Sequence, residues 1–145
     1  MPQVQRSALV SFSAEQMFNL VNDVESYPEF LPGCSGSTLH ESSDDHMVAS
    51  VDVSKAGIKK TFTTKNTLVE NQRIQMDLVD GPFKHLQGVW RFIPLDESAC
   101  KVELALEFEF SSKLIEMAFG KIFNELTSNM VSSFTQRAKQ VYVHV

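Results

Sequence analysis

Hydrophobic positions along the chain fall into three successive periods. Val4 to Phe12 reads as a strand. Ser13-Ala14-Glu15-Gln16 then has the form of a capping box, in which Ser13 accepts from the third helical amide and Gln16 returns the bond. Met17, Phe18, Leu20 and Val21 supply the apolar face of a short helix that Asn22-Asp23 ends. A second short helical turn is expected around 25–30. Leu31-Pro32-Gly33 stops it, because proline disfavours helix in the residue before it.

Beyond this point the period becomes two. Met47, Ala49, Val51 and Val53 alternate with other residues, and Ile58, Phe62 and Leu68 share one face of the next segment. Asn71-Gln72 is a turn, after which Ile74, Met76 and Leu78 alternate; Asp80-Gly81-Pro82 is another turn. Leu86, Trp90 and Phe92 share a face with Gly88. The clearest strand interleaves Val102, Leu104, Leu106, Phe108 and Phe110 with Lys101, Glu103, Glu107 and Glu109, which predicts one buried and one wet face.

The last segment repeats every four residues. Leu114, Ala118, Ile122, Leu126, Met130, Phe134 and Ala138 form one row, and Ile115, Phe119 and Phe123 flank it. One helix over about 112–142, capped by Ser111 or Ser112, would carry this as a broad stripe. No heptad seam is evident, so a sheet face is the expected partner. The order is strand, two short helices, six strands, long helix. That order predicts one α+β domain over residues 1–145, with a curved antiparallel sheet of about seven strands around the C-terminal helix. One helix cannot cover such a sheet completely. The remaining space is either filled by side chains or left as a pocket.

Composition sharpens the question of what fills that space. Eleven Phe stand against two Tyr and one Trp. Phe fills apolar volume without needing a hydrogen-bond partner, so the excess fits either a dense core or a greasy cavity. Tyr27, Phe30, Phe62, Phe83, Trp90, Phe108, Phe119 and Phe123 are the candidate lining residues. No apolar run reaches the roughly 18 residues of a spanning helix, and the stretch from Met1 to Arg6 does not read as an export signal. Cys34 and Cys100 are expected to be reduced and structural, in a cytoplasmic protein with at most transient contact at a membrane face.

Net charge is −5 and unevenly spread. Residues 1–50 hold seven acids and one base, Arg6; residues 51–85 hold six bases and four acids. An acidic chain gains no general attraction to nucleic acid, which argues against DNA as a partner. Lys55, Lys59, Lys60 and Lys65 still offer a local basic patch, although a solvated hairpin is the plainer reading.

Catalytic patterns are sparse. The six glycines match no nucleotide fingerprint, and no serine sits in a nucleophile elbow. His40-Glu41-Ser42-Ser43-Asp44-Asp45-His46 reads as a polar hairpin turn and not as a metal centre, since ligand spacing is lacking. Asp80, His85 and Arg91 are the only candidates for acid–base work; turn capping and solvation explain them as well. No metal, no required cofactor and no enzymatic activity are expected.

Ser26-Tyr27-Pro28-Glu29-Phe30-Leu31-Pro32-Gly33-Cys34, Asp80-Gly81-Pro82-Phe83-Lys84, Gly88-Val89-Trp90-Arg91-Phe92, Phe108-Glu109-Phe110 and Arg137-Ala138 together resemble the START-like, polyketide cyclase/dehydrase-like family. The resemblance runs from about Val4 to Tyr142, within a branch that holds both coenzyme Q-binding proteins and bacterial ribosome association toxins. Val51-Asp52-Val53-Ser54-Lys55-Ala56-Gly57 resembles the toxins in particular. The family implies a helix-grip fold and two different functions. One is a non-enzymatic pocket for a lipid-like ligand, with ubiquinone as the expected occupant and respiration as the process served. The other is binding to the large ribosomal subunit, which blocks its joining to the small one. The lipid reading leads on the Phe-rich stripe. A cyclase-like activity is the third and weakest reading.

Overall fold

The computed structural model describes residues 3–55 and 57–142. Met1, Pro2, Ala56 and residues 143–145 lie outside them, and so does what the sequence implies for those positions. Seven strands form one antiparallel sheet: β1 Gln3–Val10, β2 Cys34–Ser42, β3 His46–Lys55, β4 Ile58–Val69, β5 Arg73–Asp80, β6 Phe83–Asp96 and β7 Ala99–Phe110. Their spatial order is β1-β7-β6-β5-β4-β3-β2. Strands β2 to β7 are thus a run of hairpins, and β1 closes the far side by pairing Gln3–Val10 against Cys100–Glu107 of β7. This is the expected α+β helix-grip architecture.

The sheet curves because the pairing slips at several points. Bulges interrupt β2 at Cys34/Gly36 and Leu39/Glu41, β5 at Leu78/Asp80 opposite Thr63 and Thr64, and β6 at Phe83/His85 and Pro94/Asp96. An extra residue on one strand bends it and increases its twist. The buried residues line the concave side of this curve, among them Val53, Ile74, Trp90, Phe92, Val102, Leu104 and Phe108.

Between β1 and β2 the chain crosses the open side of the grip. α1 spans Ala14–Asn22; Ser13 Oγ accepts from Gln16 N at 3.1 Å, and Gln16 Oε1 accepts from Ser13 N at 2.9 Å. The predicted box is present. Met17, Phe18, Leu20 and Val21 are buried, with the Phe18 ring edge-on to Phe92 at 5.8 Å. A 3-10 helix, Val24–Glu29, occupies the expected second turn and contains Pro28.

The C-terminal segment corrects the expectation of one uninterrupted helix. α2 runs Lys113–Ser128 and α3 runs Met130–Val141, with the break at Asn129. Asn129 sits at φ −99°, ψ −2°, and its amide is shared between the carbonyls of Glu125 and Thr127. That sparsely populated geometry interrupts the ladder. Ser112 Oγ accepts from Ile115 N at 3.2 Å and caps α2 as expected.

The four-residue row is also wrong in its first two members. Leu114 is 75% exposed and Ala118 is exposed as well, so neither belongs to the core. Phe119, Phe123 and Leu126 of α2 and Val131, Phe134 and Ala138 of α3 carry the buried stripe. The physical reason is position. The first turn of α2, just past the end of β7, leaves Leu114 in solvent, and burial begins at Phe119 and Gly120, which lie against the Phe110 ring.

Candidate functional site

The motif residues hold helices to sheet. The Tyr27 hydroxyl donates to the Val21 carbonyl, Leu31 N donates to Tyr27 O at 2.9 Å, and Cys34 N donates to Leu31 O at 3.0 Å. Burial, with Cys34 and Asp23 nearby, pushes the Tyr27 phenol far above its ordinary value, so it stays neutral. Tyr27, Phe30 and Phe134 meet edge to face, and Arg137 lies 5.0 Å over the Phe30 ring while reaching Glu29 Oε1 at 3.4 Å. At the opposite end, a side chain on Gly81 would meet Phe62 Cβ at 2.8 Å. The Asp80-Gly81-Pro82 turn therefore needs glycine to approach β4. Ser111 N donates to Pro82 O at 3.0 Å and ties that turn to the start of α2.

Between these two seals lies an apolar cavity of about 60 Å³. Of the eight candidate lining residues, Tyr27, Phe62, Trp90 and Phe123 border it. Phe83, Phe108 and Phe119 do not. They close-pack with Phe110 around Phe123, at centroid distances of 4.9 Å for Phe83–Phe123 and Phe108–Phe123 and 5.8 Å for Phe119–Phe123. Phe30 lies outside, half-buried over Phe134. Most of the Phe excess therefore fills core. A cavity of this size holds a few waters and lies well below the roughly 300–1,000 Å³ of ordinary ligand pockets.

Sequence reasoning missed the polar part of the lining. Thr64, Asn66 and Thr127 are buried there among Leu31, Leu126 and Met130. Thr64 Oγ1 donates to Asn66 Oδ1 at 2.9 Å, and Thr127 Oγ1 donates to Phe123 O at 2.9 Å. No hydrogen bond ties Asn66 Nδ2 or Trp90 Nε1 to any described residue. The signal was in the pattern. Thr64 and Asn66 are the even-numbered positions between Phe62 and Leu68, so period two places them on the same inward face.

The four lysines do not form one patch. Lys55 Nζ binds Glu125 Oε2 of α2 at 2.6 Å, and that contact holds the Glu125 carboxyl below its usual range. Lys59 and Lys65 share the outer face of β4 but stand six residues apart, roughly 20 Å. Lys60 lies on the other face, in the row of Phe62. Asp80, His85 and Arg91 are no closer to a constellation. None borders the cavity, and His85 and Arg91 point outward from β6, again six residues apart.

In the polar turn, His46 bonds Ser43, Asp45 and Glu41, while His40 Nε2 meets Ser50 Oγ at 2.7 Å. Among the described residues no group of three metal-ligating side chains assembles. Both thiols are buried, which pushes the Cys34 thiol up and Cys100 up to about 11. Neither is poised as a nucleophile. Among the described residues no helix is long and apolar enough to cross a membrane.

A curved sheet gripping a C-terminal helix over a small apolar cavity defines the helix-grip class. A family model described as "Polyketide cyclase / dehydrase and lipid transport" matches residues 10–135, and the chain belongs to that family. It is 77% identical over 142 residues to the ribosome association toxin RatA of Vibrio cholerae, covering 98% of this chain and 99% of that one. It is 27% identical to the mitochondrial coenzyme Q-binding protein COQ10 homolog B of Xenopus laevis, covering 97% of this chain and 59% of that one. A START superfamily protein from Mycobacterium smegmatis superposes with a TM-score of 0.78 at 23% identity, over 96% and 98% of the two chains, and shares the fold.

Proposed function

We propose that this protein is a cytoplasmic, non-enzymatic ribosome-associating factor that binds the large subunit and hinders its joining to the small one. The carrying observation is its 77% identity, across nearly its full length, to a protein named for ribosome association. The geometry agrees in one respect: the space between helix and sheet is mostly packed with phenylalanine, so an outer surface is left to do the work. This reverses the order of the two functions implied by the family resemblance. The test is a sucrose gradient of purified bacterial subunits at a magnesium concentration that favours joining. Adding the protein is expected to shift joined ribosomes into free subunits, with the protein co-migrating with the large one. Unchanged joining with no co-migration refutes the reading.

A second reading rests on the cavity. Asn66 and Trp90 border the mostly apolar cavity with N–H donors that have no acceptor among the described residues, which matches a carbonyl-bearing lipid such as a quinone. Its ring oxygens would meet those donors, and a tail would need α2 to move outward from Lys55. Organic extraction of the purified protein followed by mass spectrometry should then return an isoprenoid quinone at near-stoichiometric yield. An empty extract from folded protein refutes this second role.

A further inference from the structure

The outer face of the sheet, turned away from α2 and α3, holds a polar trough of about 300 Å³ across β1, β7, β6 and β5. Its floor is small: Ala105 of β7 stands directly beside Val89 of β6. The next residues in that row are Gln5 on one side and Gln75 on the other. One row along, Arg91 of β6 stands directly opposite Arg73 of β5. Like charges facing each other across strands repel. Neither guanidinium has an ion pair among the described residues. The carboxylate lining the trough, Glu107, accepts from Gln3 Nε2 at 2.9 Å; Glu103 of β7 stands opposite Arg91 on its other side, and its carboxylate pairs with Lys101 Nζ at 3.8 Å.

We propose that this trough is an RNA-docking surface, with Arg73 and Arg91 gripping adjacent backbone phosphates and Gln5 and Gln75 meeting sugar hydroxyls and base edges. Guanidinium forks match phosphate oxygens in geometry and charge, and an anion between the two arginines removes their repulsion. Glutamine carboxamides carry a donor and an acceptor each, which suits 2′-hydroxyls and base edges. A bilayer would need an exposed apolar surface, whereas the trough has Val89 and Ala105 at its floor, Leu106 buried beside them, and polar residues along its sides. With a net charge of −5, RNA binding has to come from such a local contact and not from the overall field. The inference rests on the ribosome reading and locates the contact away from the lysines of β3 and β4.

The experiment measures Kd for purified large ribosomal subunits at several salt concentrations. Wild type is compared with an Arg73→Gln/Arg91→Gln variant and a Lys59→Gln/Lys65→Gln variant. Losing both arginines should raise Kd at least about tenfold and flatten the log–log salt slope by about 1.4–1.8. The lysine variant should bind as wild type does. Because Arg91 faces Arg73 on one side and Glu103 on the other, the two effects offset and Tm of the arginine variant should stay close to that of wild type. Gln5→Glu/Gln75→Glu, which leaves both arginines in place, should also weaken binding. If wild type binds and both trough variants keep its Kd and slope, the inference is overturned while the ribosome reading stands. If wild type does not bind, both fall.

Discussion

Replacing Phe123 by alanine removes the ring on which the aromatic cluster converges. Phe123 is 1% exposed, with ring centroids at 4.9 Å to Phe83 and Phe108, 5.8 Å to Phe62 and Phe119, and 6.0 Å to Phe110. Phe→Ala in a core costs about 3–5 kcal/mol, from lost transfer energy plus the void left behind. Here the void cannot collapse easily, since sheet side chains hold it on one side and α2 on the other, so the upper half of that range is expected. A domain of this size has roughly 5–15 kcal/mol in total, so the variant still folds wherever the wild type sits above the bottom of that range. At roughly 3 °C per kcal/mol, Tm should fall by about 12–15 °C. Calorimetry and urea titration check this, with the m-value unchanged. The void would join the existing cavity of about 60 Å³, so benzene should bind the variant and recover part of the lost Tm. Leu114→Ala, 75% exposed, is the control and should lie within about 0.5 kcal/mol of wild type. A loss of about 1 kcal/mol or less at Phe123 would refute the close-packed cluster. A loss above about 2 kcal/mol at Leu114 would refute the assigned face of α2.

Three further outcomes follow from single positions. Gly88→Ala would place a methyl 2.6 Å from Leu106 Cδ1 and 2.7 Å from Met76 Cε; both are ends of flexible side chains beside the cavity and can give way, so it should lower stability by no more than about 1 kcal/mol in chemical denaturation. His46 is held above the ordinary histidine value, chiefly by its hydrogen bond to Asp45 and then by that to Glu41. A raised histidine stabilises most below its unfolded pKa and loses that contribution as pH rises through its folded one. In an NMR titration Asp45→Asn should therefore move the His46 midpoint down. Both tyrosines are raised by burial, so absorbance near 295 nm should show less phenolate at pH 10 in the folded protein than in the unfolded chain, with Tyr27 neutral. Unfolding in denaturant at that pH should release both.

Local and periodic features were legible without the fold. The Ser13–Gln16 box, the 3-10 turn before Pro32 and the strand from Val102 to Phe110 each depend on neighbouring residues or on a two-residue repeat. The family resemblance added the helix grip. The break at Asn129 was not legible, because asparagine occurs within helices and only the packing of α2 and α3 selects this geometry. The same holds for the exposed Leu114: a four-residue repeat names a stripe but not where the sheet beneath it begins.

By itself, the sequence determined the order of elements, the inward face of most strands and the excess of phenylalanine available to fill the grip. Tertiary structure decided what that phenylalanine does. Phe83, Phe108 and Phe119 close on Phe123 as packed core, while Tyr27, Phe62 and Trp90 border the remaining void beside Thr64 and Asn66. Strand register likewise brought Arg73 face to face with Arg91. Alternation along one strand is a local property of the chain, whereas the neighbour across the ladder is set by turn lengths and bulges distributed over the whole sheet.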